Sequence, residues 1–425
     1  VTQKTLLYVG TRPLSLEREA EIFAARNSGC QLLIADSSAD AYRSFEIEHL
    51  VETPLAHPDR AVEDILSYIR QHSLQISGVT GWTDGAVGLV ACLSDVLGLP
   101  GTSPQAVHHV RNKAQTREIL AAGLPEANPR FAFIRTESEF LAALDDVGTP
   151  CLLKPPGSSG GRGIVKIADE KEALAKFRYF TELVRPEKDA TYGLYDGVFL
   201  LEQQVIGTEH SVAGMVAGSV PYILAIIDKE NDFSIPLQYQ NTTPSLLPDS
   251  VQAQMVEMAR AAVALVGIDW CGFHVDMMVE DGTPKILEIG GRLGGECINS
   301  HLLPLSLGEI RPYDRLLQVI QGYNPFLPQD AMRTPLSRAG GRALLPKNPG
   351  RIIALRGLEQ VREHPALRGF SQIKTEGDVV RLPEDRPFDY TIAHIVAQCG
   401  LDRSIHQTLD ELAALFSAEV QATLH

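Results

Sequence analysis

The chain is short of positive charge. Its 425 residues carry 38 Lys and Arg against 53 Asp and Glu, a formal net charge of −15. That balance argues against nucleic acid as a main partner. It leaves room for a local anion pocket, because net charge describes the whole surface. Clustered cysteine is lacking too. Cys30, Cys92, Cys151, Cys271, Cys297 and Cys399 are widely spaced, with no C-x-x-C pair. A disulfide framework or zinc knuckle is thereby disfavoured, and a reducing compartment is the default. Long apolar runs are missing as well. The longest uncharged stretch, Ser211 to Ile227, is broken by Gly214, Gly218 and Pro221 and reads as two buried strands, so no membrane partner is expected. The opening VTQKTLLYVG is too short and polar for a signal peptide, which makes the cytoplasm the expected location.

Two nucleotide fingerprints are absent. Gly10 is followed by Thr-Arg-Pro, not by G-x-x-G, so the dinucleotide-binding pattern fails. The densest glycine cluster, Pro155–Gly163, is not closed by Lys-Ser/Thr and precedes a strand, so it is no Walker A loop. No internal repeat or low-complexity segment interrupts the chain.

What is present reads as α/β followed by α+β. Apolar runs at 6–10, 30–36 and 76–82 alternate with helical patterns, one capped by Ser15 and one starting at Asp84, as in an open parallel sheet with crossover helices. A helix from Ser103 continues through NKAQTREILAAG. Strands are expected at 131–134, 151–155, 163–167 and 199–205, then in the runs EHSVAGMV, SVPYILAII, GFHVDMMV and TPKILEIG. A long amphipathic helix covers 248–266. The Pro-rich stretch 324–338 marks a boundary, followed by a small α+β unit ending in a helix near 409–424. The expected domains are 1–103, 104–330 and 331–425.

Strand flanks make Pro155–Gly163 a hairpin flap. Gly157, Gly160, Gly161 and Gly163 let backbone N–H groups approach phosphate oxygens. Ser158 and Ser159 add hydroxyl donors, and Lys154 adds charge. A flexible surface hairpin is the plainer alternative. A second signal comes from spacing. The Asp281-Gly282 turn joins two strands, and a three-residue loop then sets Asp276 opposite Glu288 and His274 opposite Gly290. Facing carboxylates call for a cation, and Mg²⁺ fits oxygen ligands beside a triphosphate. Phe273, Val275, Met277, Val279, Leu287 and Ile289 would share the other, apolar face. An exposed strand with unrelated charges is the alternative. Arg292, among Gly290, Gly291, Gly294 and Gly295, could bind a carboxylate or stabilise an oxyanion, or form a surface salt bridge. Glu296, one helical turn on, could read a substrate ammonium or complement a helix dipole. His274 could orient substrate or assist proton transfer, or be a structural histidine.

Taken in order, these residues resemble the ATP-grasp superfamily from about Pro104 to Gly322, with an N-terminal pre-ATP-grasp domain. Within it the EIGGRLGGE stretch and the small C-terminal unit look most like the L-amino acid ligases (dipeptide synthases), including their tabtoxin-type branch, and carnosine-synthase-type enzymes. The resemblance implies ATP and Mg²⁺ as cofactors, with Mn²⁺ as a substitute. Lys113 and Lys154 would be phosphate-binding lysines. In the hinge, 199–209, Glu202 would accept from the adenine amino group, Gln203 and Val205 would offer backbone contacts, and Glu209 would hold the ribose. Asp276 and Glu288, in the hairpin 272–292, would hold the metal. Gly290 stands where many relatives carry Asn. Arg292 and His274 would be catalytic, and these two with Gly294, Gly295 and Glu296 would bind substrate. The implied reaction activates an amino acid as an acyl phosphate and joins it to the amine of a second. Amino acids are the expected partners, and a homodimer the expected assembly. Alternatives are another grasp ligase or carboxylase and, against the full set of charged residues, a non-catalytic nucleotide-binding module.

Overall fold

The computed structural model describes residues 3–158, 160–193, 197–232, 237–308, 310–327, 333–382 and 387–422. Ser159 of the expected flap lies outside them. The N-terminal unit holds β1 (Lys4–Val9), α1 (Ser15–Asn27), β2 (Gln31–Asp36), β3 (His49–Glu52), α2 (Pro58–Gln71), β4 (Gln75–Gly81) and α3 (Val87–Val96). Its strands pair in parallel in the order β3-β2-β1-β4. Leu14, not Ser15, occupies the cap position of α1, and the Ser15 hydroxyl bonds Ser371 instead (2.7 Å).

The helix expected from Ser103 is two helices, α4 (Pro104–Arg111) and α5 (Lys113–Gly123). They break at Asn112, whose side chain accepts from the Ala114 and Gln115 amides. A second sheet follows, built from β5 (Phe131–Ile134), α6 (Glu137–Val147), β6 (Cys151–Lys154), β7 (Val165–Ile167), α7 (Glu170–Leu183) and β8 (Phe199–Gln203). Its order is β5-β8-β6-β7, all antiparallel.

The largest sheet has eight strands. It takes β9 (Thr208–Ala217), β10 (Val220–Asp232), β11 (Leu237–Thr243), β12 (Cys271–Glu280) and β13 (Thr283–Gly290), with α8 (Asp249–Val266) between β11 and β12. It also takes β14 (Arg338–Leu344), β16 (Leu367–Gln372) and β18 (Ala393–Cys399) from beyond the Pro-rich stretch. The order is β13-β12-β9-β10-β11-β14-β18-β16. The intervening helices are α9 (Leu303–Leu307), α10 (Pro312–Val319) and α11 (Leu358–Glu363). A small sheet joins β15 (Gly350–Arg356), β17 (Val379–Val380) and β19 (Ser417–Gln421). The expected terminal helix is thus α12 (Ile405–Ala414) followed by a strand.

One face of the large sheet is apolar where α8 covers it. Met255, Ala259, Ala262, Val263 and Val266 pack on Phe273, Val275, Met277 and Ile289. Each such burial contributes about 1.5–3 kcal/mol relative to exposure. Period-two alternation then sends the polar residues of the same strands to the opposite face, where the site lies.

Candidate active site

The β12–β13 hairpin reaches its expected pairing by an unexpected route. Glu280 opposes Thr283, so the turn has two residues, Asp281 (φ 49°) and Gly282 (φ 79°). That is the primed geometry of tight hairpins, not a three-residue loop. A bulge after Asp276 leaves Leu287 unpaired and restores the frame. Asp276 therefore opposes Glu288, and His274 opposes Gly290. The bulge corrects one expectation: Ile286, not Leu287, joins Ile289 in the core. Leu287 instead offers its carbonyl to Arg117 (3.0 Å).

Each hairpin carboxylate meets a lysine. Lys229 Nζ lies 2.8 Å from Asp276 Oδ1 and 3.3 Å from Glu209 Oε1. Lys113 Nζ lies 3.5 Å from Glu288 Oε2. Burial alone would raise the Asp276 pKa, but Lys229 outweighs it and holds the carboxyl low. Burial would lower Lys229, and the two carboxylates hold it high. Asn231 donates to the other Glu209 oxygen (2.8 Å). Lys229 did not emerge from the sequence. Its signal is the register that sets it directly opposite Glu209. Among the described residues no group of three or more His, Cys, Asp or Glu forms a metal cluster.

The flap hangs over this floor. Lys113 begins α5, donates its amide to Pro156 (2.9 Å) and its ammonium to the Ser158 carbonyl. Gly160, Gly161 and Gly163 have φ of 64–75°, a region few side chains tolerate. Gly157 and Ser158 are buried, and the Ser158 hydroxyl donates weakly to Pro155 (3.4 Å). Behind the flap, Lys154 and Arg117 grip opposite oxygens of Glu202, Arg117 at 2.7 Å. Burial raises Glu202, yet the two cations pull its pKa down to about 2, and burial lowers that of Lys154. Both Glu202 oxygens are thus engaged. The Gln203 backbone amide donates to the Arg130 carbonyl (2.8 Å), Val205 is buried, and Gln204 Oε1 is buried with no hydrogen-bond partner among the described residues.

The loop after β13 gathers the remaining residues. His274 Nδ1 lies 3.1 Å from the Arg292 carbonyl, which can only accept, so Nδ1 carries the proton. His274 Nε2 is 3.9 Å from Asp276 Oδ2. Burial, then Arg292, lowers the His274 pKa. A Cβ on Gly290 would stand 2.0 Å from the ring, so the imidazole fills the space a side chain there would need. Arg292 is not a surface arginine. Its Nε and Nη2 donate to Asp84 (3.1 and 2.5 Å), and its Nη1 to the Leu293 carbonyl (2.9 Å). Burial raises Asp84, but Arg292 outweighs it and holds the carboxyl far down.

Arg12 braces the loop from below. It donates to the carbonyls of Leu293 (2.6 Å) and Gly294 (2.9 Å), and to Tyr313 (2.6 Å), while Glu17 and Glu21 balance its charge. Gly295 lies over the same guanidinium. Glu296 is not one helical turn beyond Arg292. The segment is irregular, with Glu296 at φ 56° and Cys297 at φ 64°. Glu296 Oε2 accepts from Gln238 (2.7 Å) and Asn241 (2.5 Å). Sequence spacing hides the contacts Arg117–Glu202, Asp84–Arg292 and Arg12–Tyr313, which span 85 to 301 residues.

A lysine-and-glycine flap over facing carboxylates matches a known module. The family model for the ATP-grasp domain covers residues 147–300. This chain carries an ATP-grasp domain. The likeness of fold to solved structures extends over nearly the whole chain. The L-amino acid ligase from Bacillus licheniformis superposes with a TM-score of 0.80 at 20% identity, covering 99% of each chain. Human carnosine synthase 1 is 25% identical over 342 residues, 76% of this chain and 40% of that protein. The alanine–anticapsin ligase of Bacillus subtilis strain 168 is 25% identical over 213 residues, 47% of this chain and 44% of that one. The chain therefore spans less than half of either curated relative.

Proposed function

We propose that the protein is an ATP-dependent, ADP-forming ligase joining two amino acids through an aminoacyl phosphate. The observation that carries this reading is a connected chain of contacts: Lys113 links the Ser158 carbonyl of the flap to Glu288, Glu288 opposes Asp276, and His274 lies between Asp276 and the Arg292 carbonyl. ATP-grasp proteins bind ATP and Mg²⁺. Two opposed carboxylates fit Mg²⁺, which commonly takes one or two carboxylates and completes its shell with phosphate oxygens and water. Mn²⁺ is a reasonable substitute on the same donors. When bound, the ion neutralises phosphate charge.

The chain's own residues supply the rest. Lys113 and Lys154 bring positive charge to the phosphate side, with the flap amides of Gly157, Ser158, Gly160, Gly161 and Gly163, and Ser159 is proposed with them. Glu202 holds Lys154 in place, Gln203 and Val205 border the adenine, and Glu209 faces the ribose. Arg292 has guanidinium protons left after its bonds to Asp84 and Leu293, enough to stabilise a tetrahedral oxyanion. His274, with Nε2 unprotonated, is proposed to orient the incoming amine. Gly294 and Gly295 allow close approach of substrate. The flap excludes water from an acyl phosphate. No helix among the described residues is long and apolar enough to cross a membrane. The proposed location is the cytoplasm, and the proposed partners are small amino acids.

The test is phosphate release and product mass from ATP, Mg²⁺ and pairs of amino acids. A dipeptide mass with stoichiometric ADP supports the reading. Release only with bicarbonate or formate assigns the chain to the carboxylases or purine-type ligases instead.

A further inference from the structure

Glu296 differs from every other carboxylate around the cleft. Glu202, Glu209, Asp276, Glu288 and Asp84 each have a lysine or arginine within 4 Å. Glu296 has none among the described residues, only the neutral side-chain amides of Gln238 and Asn241 on one oxygen. Lys229 acts on it only from a distance, being bonded to Asp276 and Glu209. A desolvated carboxylate without an ion-pair partner of its own is costly, and persists where a ligand completes it.

Its backbone is held in place at some expense. Glu296 and Cys297 are successive non-glycine residues in the left-handed region. Such strain survives only when the surroundings over-determine it, and it gathers at ligand clamps. Here Glu17 accepts from the Cys297 amide (3.1 Å), and Arg12 grips the carbonyls of Leu293 and Gly294. In the helical turn that follows (Ile298–Leu302), Asn299 donates to Gly294 (2.9 Å), while its Oδ1 is buried with no hydrogen-bond partner among the described residues. That is a second acceptor awaiting a donor.

Placement gives the ligand class. Asn241 opposes Lys229, which bonds Asp276, so Glu296 borders the carboxylate floor. Arg292 stands four residues earlier on the same loop. A cation and an anion on one braced segment complement a zwitterion. Resting on the ligase reading above, we infer that Glu296, set by Gln238 and Asn241, binds the ammonium of the acyl-donor amino acid. The site thereby selects amino acids over plain carboxylic acids of the same shape.

The experiment is calorimetric binding to the full chain with Mg²⁺ and a non-hydrolysable ATP analogue. The probes are L-alanine against propionate, L-leucine against 4-methylpentanoate, and L-methionine against 4-(methylthio)butanoate. The wild type is expected to prefer at least one amino acid by about 10–100-fold, the scale of a charge-assisted hydrogen bond. Glu296→Gln should erase that preference and leave affinity for the ATP analogue unchanged. Glutamine keeps an oxygen for both amide donors, so the fold should persist. Should it not, Glu296→Asp, which keeps the charge but retracts it, should reduce the preference several-fold. An unchanged preference in the variant overturns the inference, as does a wild type that prefers no amino acid. Dipeptide formation is read separately by mass, so the ligase reading can fail while the binding preference stands.

Discussion

Glu202 and Glu296 are two desolvated carboxylates with opposite neighbours. Burial pushes both pKa values up. Around Glu202 two cations reverse that, and the pKa falls to about 2. Around Glu296 the charge of Lys229, already bonded to Asp276 and Glu209, and the Asn241 amide offset burial only in part, and it rises to about 7. The comparison separates a closed ion triad, complete in itself, from an anion left open for a guest. Burial is common to both, and the partners decide which role follows.

Breaking the closed member should cost most. Glu202→Ala leaves Arg117 and Lys154 buried together without an anion. A loss of about 3–5 kcal/mol is expected in urea unfolding, and a loss under about 1 kcal/mol would contradict the triad. Converting the open member into the closed kind comes next. Gln238→Lys gives Glu296 its own cation, and amino acid affinity should fall about 10–100-fold in calorimetry. Unaltered affinity would mean that Glu296 needs no free charge. Asp84 is an intermediate case, a carboxylate committed to a working cation. Asp84→Asn should lower kcat about tenfold and leave the KM for ATP within about twofold, since Arg292 is loosened but nucleotide contacts are not. Equal damage to both parameters would point to general disorder instead.

The smallest effect is in pH. The folded pKa of Glu296 lies above its ordinary 4.5, so its protonated form favours folding. That contribution is full below about pH 4 and is lost as pH rises through about 7. Glu202 runs the other way, contributing above about pH 4 and losing it as pH falls through about 2. Between pH 6 and 8 the wild type should therefore lose about 1–2 kcal/mol more stability than Glu296→Gln, measured by denaturant titration. Identical pH profiles would remove the titration from Glu296.

Much of the fold was legible because it rests on short-range patterns. Alternation along 271–280 and 283–290 announced the hairpin and its polar face. The glycines at 157–163 announced the flap. The failures are equally local in cause. A bulge at Leu287 cannot be read from alternation, because one extra residue inverts the pattern only beyond it. Asn112 caps a new helix within a helical run, so two helices read as one. β11 carries Gln238, Gln240 and Asn241 and lacks a clean apolar period, which hid both a strand and the amides around Glu296. Asp84 read only as the start of a helix, and Arg12, Arg117 and Lys229 carried no signal of their own. What makes them part of the site is a partner on another strand or unit, and that information exists only after folding.

The shared eight-stranded sheet has a consequence for solubility. β11 is the strand at which the grasp core hands over to β14, through pairs from Gln240–Arg342 to Thr243–Ala339. A chain cut before Arg338 would turn an interior strand into an open edge, the usual template for intermolecular pairing. Such a fragment should scatter light and form oligomers even with the nucleotide residues intact. The last ninety or so residues therefore act as a built-in stopper against self-association, whatever they add to substrate choice.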